Sequence, residues 1–147
     1  MVFIEDAGSA FDAPLDVVWK LNQAHATDVA RIHPSSRNNQ MEMVNETTFV
    51  MSWEDTAPDG QIIKTKARGS VHAPLGTVFE ILEGPLAGSK FFNYYIPKGE
   101  KTGVTVVGEF KSPVMPDEQL KGAVLAFLEK AFNEDSAYLK NVLIAAT

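Results

Sequence analysis

The chain has 147 residues, of which 45% are hydrophobic and 22% charged, with a formal net charge of −6. This length predicts a single domain over residues 1–147, and no apolar run is long enough to span a bilayer. The negative charge argues against nucleic acid as a partner, and the absence of cysteine excludes disulfides and cysteine-ligated metal. Acidic residues near the N-terminus, where a signal peptide would be basic and then apolar, favour a cytoplasmic protein.

One strand and two short helices are predicted for the first part of the chain. Val2 to Phe11 alternates imperfectly, and Gly8 within it is typical of a β-bulge. Pro14 suits the first position of a helix, and this helix should end near Ala24. Thr27 to Ile32 predicts a second short helix with Thr27 as its N-cap. Two short helices between strands predict a V-shaped pair.

From Ser36 onward the hydrophobic period becomes two, which predicts about six further strands and six or seven in all. Proline- and glycine-containing turns such as Ala57-Pro58-Asp59-Gly60 separate them, so neighbouring strands should pair antiparallel. Strands first and a long helix last indicate an α+β fold. The inner face is expected to contain Met41, Met43, Phe49, Met51, Trp53, Ile63, Val71, Phe79, Ile81 and Phe110.

Pro116 to Thr147 reads as one long amphipathic helix that the sheet should cover. Asp135 lies in the middle of its apolar arc, where an unpaired charge is costly. The carboxylate should therefore have a partner such as Lys121, Arg68 or a tyrosine hydroxyl, have a raised pKa, or face water in a cavity. Alternatively, the helix distorts locally and the side chain reaches solvent. The apolar arc contains Leu120, Val124, Phe127, Leu128, Ala131, Phe132, Tyr138, Leu139, Val142 and Leu143.

Asp135 and His25 are the candidate catalytic residues, since either could transfer a proton near neutral pH. His25 and His33 flank the second short helix, but their spacing is not a recognised metal-ligand spacing and the nearby Asp28 does not complete a ligand set. Surface or capping roles are the simpler interpretation for both, and His72 should face outward. No nucleophile, nucleotide or zinc-protease motif is present, so neither a metal nor a cofactor is expected.

Several short segments resemble the START-like superfamily, also called the helix-grip or Bet v allergen-like fold (SRPBCC), and within it the polyketide cyclase/dehydrase-like members. The resemblance covers the whole chain as topology, and its motifs are structural, not catalytic. It implies a curved sheet wrapped round the C-terminal helix with a cavity between them. The similar segments are Phe11-Asp12-Ala13-Pro14, Val18-Trp19, Glu83-Gly84-Pro85, Thr102-Gly103-Val104-Thr105, Gly108-Glu109-Phe110 and Tyr138-Leu139-Lys140.

Members of this superfamily commonly bind hydrophobic small molecules, so the resemblance implies transport or sensing of a small hydrophobic or amphipathic ligand. Asn93, Tyr95 and Asp135 would orient it. A polyketide cyclase/dehydrase-like enzyme is the first alternative, and a protein-interaction module the second. Strand 91–96 is apolar on both faces, which predicts a homodimer. A packed core without a cavity is the opposing interpretation. The expected ligand-binding residues are Met41, Met43, Phe49, Met51, Trp53, Ile63, Phe79, Ile81, Tyr95, Phe110, Val124, Leu128, Phe132 and Asp135.

Overall fold

A computed structural model describes residues 1–145 of the chain. Ten strands and helices follow one another, and a short π-helical segment, Leu139–Ile144, comes directly after the last helix. The elements are β1 (Val2–Phe11), α1 (Leu15–Ala24), α2 (Val29–Ile32), β2 (Arg37–Met43), β3 (Thr48–Thr56), β4 (Ile62–His72), β5 (Gly76–Glu83), β6 (Lys90–Lys98), β7 (Lys101–Phe110) and α3 (Asp117–Tyr138).

The seven strands form one antiparallel sheet in the order β1-β7-β6-β5-β4-β3-β2. From β2 to β7, each strand pairs with the next one along the chain, as short turns require. β1 instead pairs with β7, because α1 and α2 take the chain from one edge of the sheet to the other. The α+β class, the helix-grip fold and two short helices after the first strand are thereby confirmed.

β1 contains the bulge that Gly8 indicated. Its register with β7 shifts between Asp6 and Ser9. Gly8 has a φ of 101°, a backbone conformation that glycine adopts without the steric strain of other residues. The bulge increases the local twist. Because Ser9 and Asp6 both border the interior cavity described below, the bulge helps to shape it.

A row of phenylalanine rings crosses the concave face of the sheet. Successive ring centroids are 6.3, 5.3 and 5.0 Å apart along Phe49, Phe79, Phe91 and Phe110. Two glycines make room for this row. Gly69 lies under the ring of Phe49, and Gly108 lies against the backbone and Cβ of Phe91. A side chain at either glycine would occupy space that the ring or its backbone already fills.

Two hydrophobic clusters join the helices to the sheet. The first centres on α1 and the end of α3 and includes Val18, Leu21 and Leu139. The second joins the other half of α3 to the sheet through Leu120 and Phe110. The helix is therefore fixed at both of its ends, and the cavity lies between the two clusters.

The C-terminal helix differs in two respects from the prediction. Regular α-helix ends at Tyr138, and residues 139–144 continue with π-helical hydrogen bonds. Residues 146 and 147, which the predicted helix included, lie outside the described residues. Phe127, expected on the buried arc, is 47% exposed because α3 packs chiefly against β1 and β7 and leaves the β2 side of the sheet uncovered.

The second short helix begins at Val29 and not at Thr27, since Asp28 occupies the N-cap position. Within the described residues, no helix is long and apolar enough to cross a membrane.

Candidate functional site

A cavity of about 80 Å³ lies between α3 and strands β1, β6 and β7. It holds only a few waters, whereas sites for drug-sized ligands usually measure about 300–1,000 Å³. The apolar residues of its lining are Phe11, Val104, Val106, Leu128, Ala131 and Phe132. The polar residues of its lining are Asp6, Ser9, Asn93, Tyr95 and Asp135.

Among the polar lining residues, one buried side-chain atom lacks a hydrogen-bond partner within the described residues. Asn93 Oδ1 is buried and accepts no hydrogen bond from the described residues. The neighbouring Tyr95 hydroxyl donates to Asn22 Oδ1 over 3.3 Å. Burial, followed by the negative charge of Asp135, raises the pKa of Tyr95, so its hydroxyl stays protonated near neutral pH. A buried acceptor without a partner is costly, which favours a bound donor at Asn93.

Apolar side chains remain partly uncovered on the concave face toward the β2 edge, across the row of phenylalanines from the cavity. Met51 and Trp53 of β3 are half-buried there. Met41 and Met43 pair with Met51 and Phe49 and so share this face, yet Met43 is 55% exposed. Both β2 methionines therefore lie on the predicted inner face, but they are left uncovered because α3 does not extend over that edge of the sheet.

A second group of polar residues, the histidine cluster, lies where α1, α2 and α3 meet. It consists of His25, His33 and Asp135, with Glu134 beside them. His25 Nε2 lies 3.2 Å from His33 Nε2 and 3.1 Å from Asp135 Oδ1. His33 Nε2 lies 3.4 Å from the same Asp135 oxygen. Such a set of two imidazoles and a carboxylate suits a transition-metal ion.

The ring protons of the two histidines are determined by their other contacts. His25 Nδ1 lies 2.9 Å from the backbone oxygen of Leu21, which can only accept, so Nδ1 holds the proton. His33 Nδ1 lies 3.1 Å from a carboxylate oxygen of Glu134 and is protonated for the same reason. In the neutral rings, both Nε2 atoms therefore present lone pairs to each other and to Asp135.

Burial lowers the pKa of His25, but the hydrogen bond and charge of Asp135, with the backbone carbonyls of Leu21 and Asn22, outweigh it. The net result is a pKa raised above the ordinary value of 6.5. His25 therefore holds a second ring proton to a higher pH than an isolated imidazole does.

Contacts between α2 and α3 hold the histidine cluster in place. The Tyr138 hydroxyl donates to Asp28 Oδ2 over 2.7 Å, and the Arg31 guanidinium lies 5.9 Å from the Tyr138 ring centroid. Lys130 Nζ donates to Ser35 Oγ just beyond α2. These contacts place His33, which directly follows α2, against the last turns of α3.

Asp135 lies on a continuous helix and points inward, with 20% of its side chain exposed. Its partners are His25 and His33, and not Lys121 or Arg68 as the sequence suggested. Of the surface or capping roles expected for these histidines, capping is confirmed, since His25 is the C-cap of α1 and His33 that of α2. Neither is a surface residue, because their side chains are only 27% and 21% exposed. The sequence pattern that could have indicated this cluster is a pair of histidines at the two ends of a short helix, together with a carboxylate on the apolar face of a helix distant in sequence.

The other residues predicted to bind a ligand separate into groups. Tyr95, Leu128, Phe132 and Asp135 line the cavity. Phe49, Ile81, Phe110 and Val124 are buried. Met51, Trp53, Ile63 and Phe79 are half-buried. Sequence reasoning missed Asp6 and Ser9, because the bulge that turns β1 decides where they point.

No family model and no curated protein matches the chain. Solved structures do resemble it. TTHA0849 from Thermus thermophilus superposes with a TM-score of 0.70 at 15% identity over 99% of both chains. The Zhui aromatase/cyclase from Streptomyces sp. R1128 gives 0.72 at 15% identity, over 94% of this chain and 90% of that one. Ara h 8.0201 gives 0.73 at 14% identity, over 95% and 98%.

These likenesses extend over nearly the whole chain at low identity, so they establish the fold. The chain has the helix-grip fold of START-like and Bet v allergen-like proteins, as the sequence resemblance indicated.

Proposed function

We propose that the protein binds a small amphipathic ligand whose polar end occupies the cavity between α3 and the sheet. The principal support is Asn93 Oδ1, a buried acceptor without a donor among the described residues. A ligand hydroxyl or N–H group would satisfy it, and burial makes such a hydrogen bond selective.

The charges around the cavity favour one class of polar end. Asp6 and Asp135 both line it, and no basic side chain does so among the described residues. An anionic ligand group would be repelled by these carboxylates in a site of low dielectric. The ligand should therefore present a neutral hydroxyl or an amine and not a carboxylate.

The apolar part of the ligand should lie along the uncovered concave face. The cavity alone is too small for a drug-sized molecule. Phe91, which shares this face of β6 with Asn93, and its neighbour Phe79 are half-buried, and Phe127 of α3 is exposed. They offer apolar area that the fold does not bury by itself. Burying it would supply most of the binding free energy, at about 25 cal/mol per Å².

Two probes with the same ring system test this proposal. 2-Naphthol presents a neutral hydroxyl, whereas 2-naphthoate presents a carboxylate, and both can be titrated by fluorescence. We expect 2-naphthol to bind at least about 10-fold more tightly, which corresponds to about 1.4 kcal/mol. Equal binding, or tighter binding of naphthoate, would contradict the proposal. Native mass spectrometry of the purified protein would show a co-purifying small molecule.

Two alanines of α3 provide a matched pair of variants. Ala131 lines the cavity, whereas Ala126 lies on the exposed outer face of the helix. Ala131→Leu should fill the cavity and weaken 2-naphthol binding at least about 10-fold. Ala126→Leu should leave binding unchanged. If both variants bind like the wild type, the ligand does not enter this cavity.

A second candidate function is a polyketide cyclase/dehydrase-like enzyme, and the hydrogen bond between His25 and Asp135 favours it. Asp135 borders the cavity, and His25 has a raised pKa, as proton transfer near neutral pH requires. Cyclisation of a polyketide-like substrate should then fall at least about 100-fold in Asp135→Asn and in His25→Ala. Unchanged turnover in both variants would remove these residues from any catalytic role.

A further inference from the structure

We propose that His25, His33 and Asp135 form a site for a divalent transition-metal ion, with zinc as the first candidate. The ligand atoms would be the two histidine Nε2 atoms and Asp135 Oδ1. This inference does not rest on the proposed ligand, although the two sites share Asp135, which also borders the cavity.

The first support is that, when both imidazole rings are neutral, the three atoms have no hydrogen-bond donor between them. Both Nδ1 atoms hold the ring protons, so two lone pairs and a carboxylate oxygen lie within 3.1–3.4 Å of one another. Three acceptors at these distances repel unless a positive charge lies among them. A metal ion supplies that charge, and a proton on His25 is the competing occupant.

The second support is the spacing of the three atoms. Zinc binds histidine nitrogen and carboxylate oxygen at about 2.0–2.1 Å, so neighbouring ligands of a tetrahedral site lie about 3.3 Å apart. The three observed separations, 3.1, 3.2 and 3.4 Å, span this value. An ion therefore fits among the three atoms with little side-chain movement.

The third support is the set of groups behind the two histidines. Metal-binding histidines usually donate their other ring N–H to a carbonyl or a carboxylate, which fixes the tautomer and orients the ring. Here the backbone oxygen of Leu21 accepts from His25, and Glu134 accepts from His33. Glu134 is thus a positioning residue. The three ligand side chains are 20–27% exposed, which leaves a path for the ion from solvent.

Three protein ligands leave one position of a tetrahedral ion for water or another small molecule, as in catalytic zinc sites. Two imidazoles and a carboxylate also suit iron(II), which the test must distinguish.

Calorimetric titration of the untagged, chelator-treated protein with zinc chloride tests the site. We expect one zinc ion per chain and the release of protons where His25 is protonated. Cobalt(II), titrated in parallel, should give intense visible absorption bands typical of four- or five-coordinate ions. Zinc and iron(II), compared under anaerobic conditions, should both bind at this site, with zinc the tighter.

Substitutions at the proposed ligands distinguish zinc binding at this site from adventitious zinc binding elsewhere on the protein. Asp135→Asn and His33→Gln should each weaken zinc binding at least about 100-fold, and Glu134→Gln about 10-fold. His72→Gln is the matched control, because His72 is exposed on β4 outside the cluster, and it should bind like the wild type. Titration of 2-naphthol in the presence of chelator reports on the cavity without the metal, which distinguishes failure of this inference from failure of the proposed ligand site.

Circular dichroism checks that each variant is folded. If a variant is not folded, the number of zinc ions bound per wild-type chain decides whether the site exists. Absence of zinc binding to the wild type would overturn the proposal. Retention of wild-type affinity in both Asp135→Asn and His33→Gln, or its loss in His72→Gln, would overturn it as well.

Discussion

Gly69 and Gly108 allow aromatic rings to lie close to the concave face of the sheet. The ring of Phe49 covers Gly69, and the backbone of Lys90 and Phe91 lies against Gly108. Each glycine lacks a Cβ at a point where a neighbouring residue needs the space, so the phenylalanines can pack in one row, with Phe49 edge-on to Phe79 and the other rings stacked. The apolar face beside the cavity depends on these two small residues.

Replacing Gly108 by alanine should destabilise the protein by about 1–3 kcal/mol, because the new Cβ would overlap the carbonyl of Lys90 and force the backbone to move. Gly122 is the matched control. It lies on the exposed side of α3 with no atom within 4 Å of an added Cβ. Gly122→Ala should stabilise the helix by about 0.5–1 kcal/mol. Urea unfolding measures both changes, and a neutral Gly108→Ala would contradict the packing described here.

His25 predicts a pH dependence for the metal-free protein. Its pKa is raised in the folded state, so the folded protein binds more protons than the unfolded one above about pH 6.5. The stabilisation is complete below that pH and is lost as pH rises through the raised pKa. The titratable groups in contact with His25 are His33 and Asp135, and Glu134 contacts His33 in turn.

Unfolding by urea, measured from pH 5.5 to 9 in the presence of chelator, should show this fall in the free energy of unfolding. His25→Gln should flatten it, whereas His72→Gln should retain it. A wild-type stability that rises across the same range would contradict the assigned sign.

At the scale of elements, α3 has a distinct role at each end. Its first half is held to the sheet by Leu120 and Val124, while its last turns place Asp135 and Tyr138 against α1 and α2. The site is therefore formed between elements that are distant in sequence and is positioned by helix packing.

Leu120→Ala should cost about 2–5 kcal/mol, since Leu120 is fully buried. Leu125→Ala makes the same chemical change at a side chain that is 36% exposed, and it should cost under about 1 kcal/mol. Thermal and urea unfolding compare the two. Equal costs would indicate that α3 does not dock on the sheet through the Leu120 side.

At the scale of the whole molecule, the sheet has apolar side chains on both faces. Phe91 and Tyr95 lie on the concave face, whereas Phe92 and Ile96 lie exposed on the convex one, as does Phe3 of β1. This division follows from the alternation of side chains along a strand. The homodimer predicted from strand 91–96 would bury the convex face.

Sedimentation velocity over a range of concentrations tests the homodimer. We expect the mass of two chains, and Phe92→Lys should shift it to that of one chain, because a buried charge opposes association. Leu75→Lys, at an exposed apolar residue in the turn between β4 and β5, is the control and should not change the mass. A wild-type monomer at all concentrations would exclude the dimer.

The fold was largely determined by local sequence. Alternating apolar residues, proline and glycine turns and one long amphipathic arc predicted the order of the elements, and the bulge at Gly8 lies where the sequence placed it. These features depend on residues close together in the chain, so their periodicity is visible without a structure.

Only the tertiary structure decided how the site is assembled. Asp135 was conspicuous in the sequence, but its partners lie about 100 residues away or more, and no spacing rule connects them. The size of the cavity likewise depends on how far α3 lies from β1 and β7, which the packing of side chains sets. Local pattern specifies elements, whereas the separation between them emerges from contacts distant in sequence.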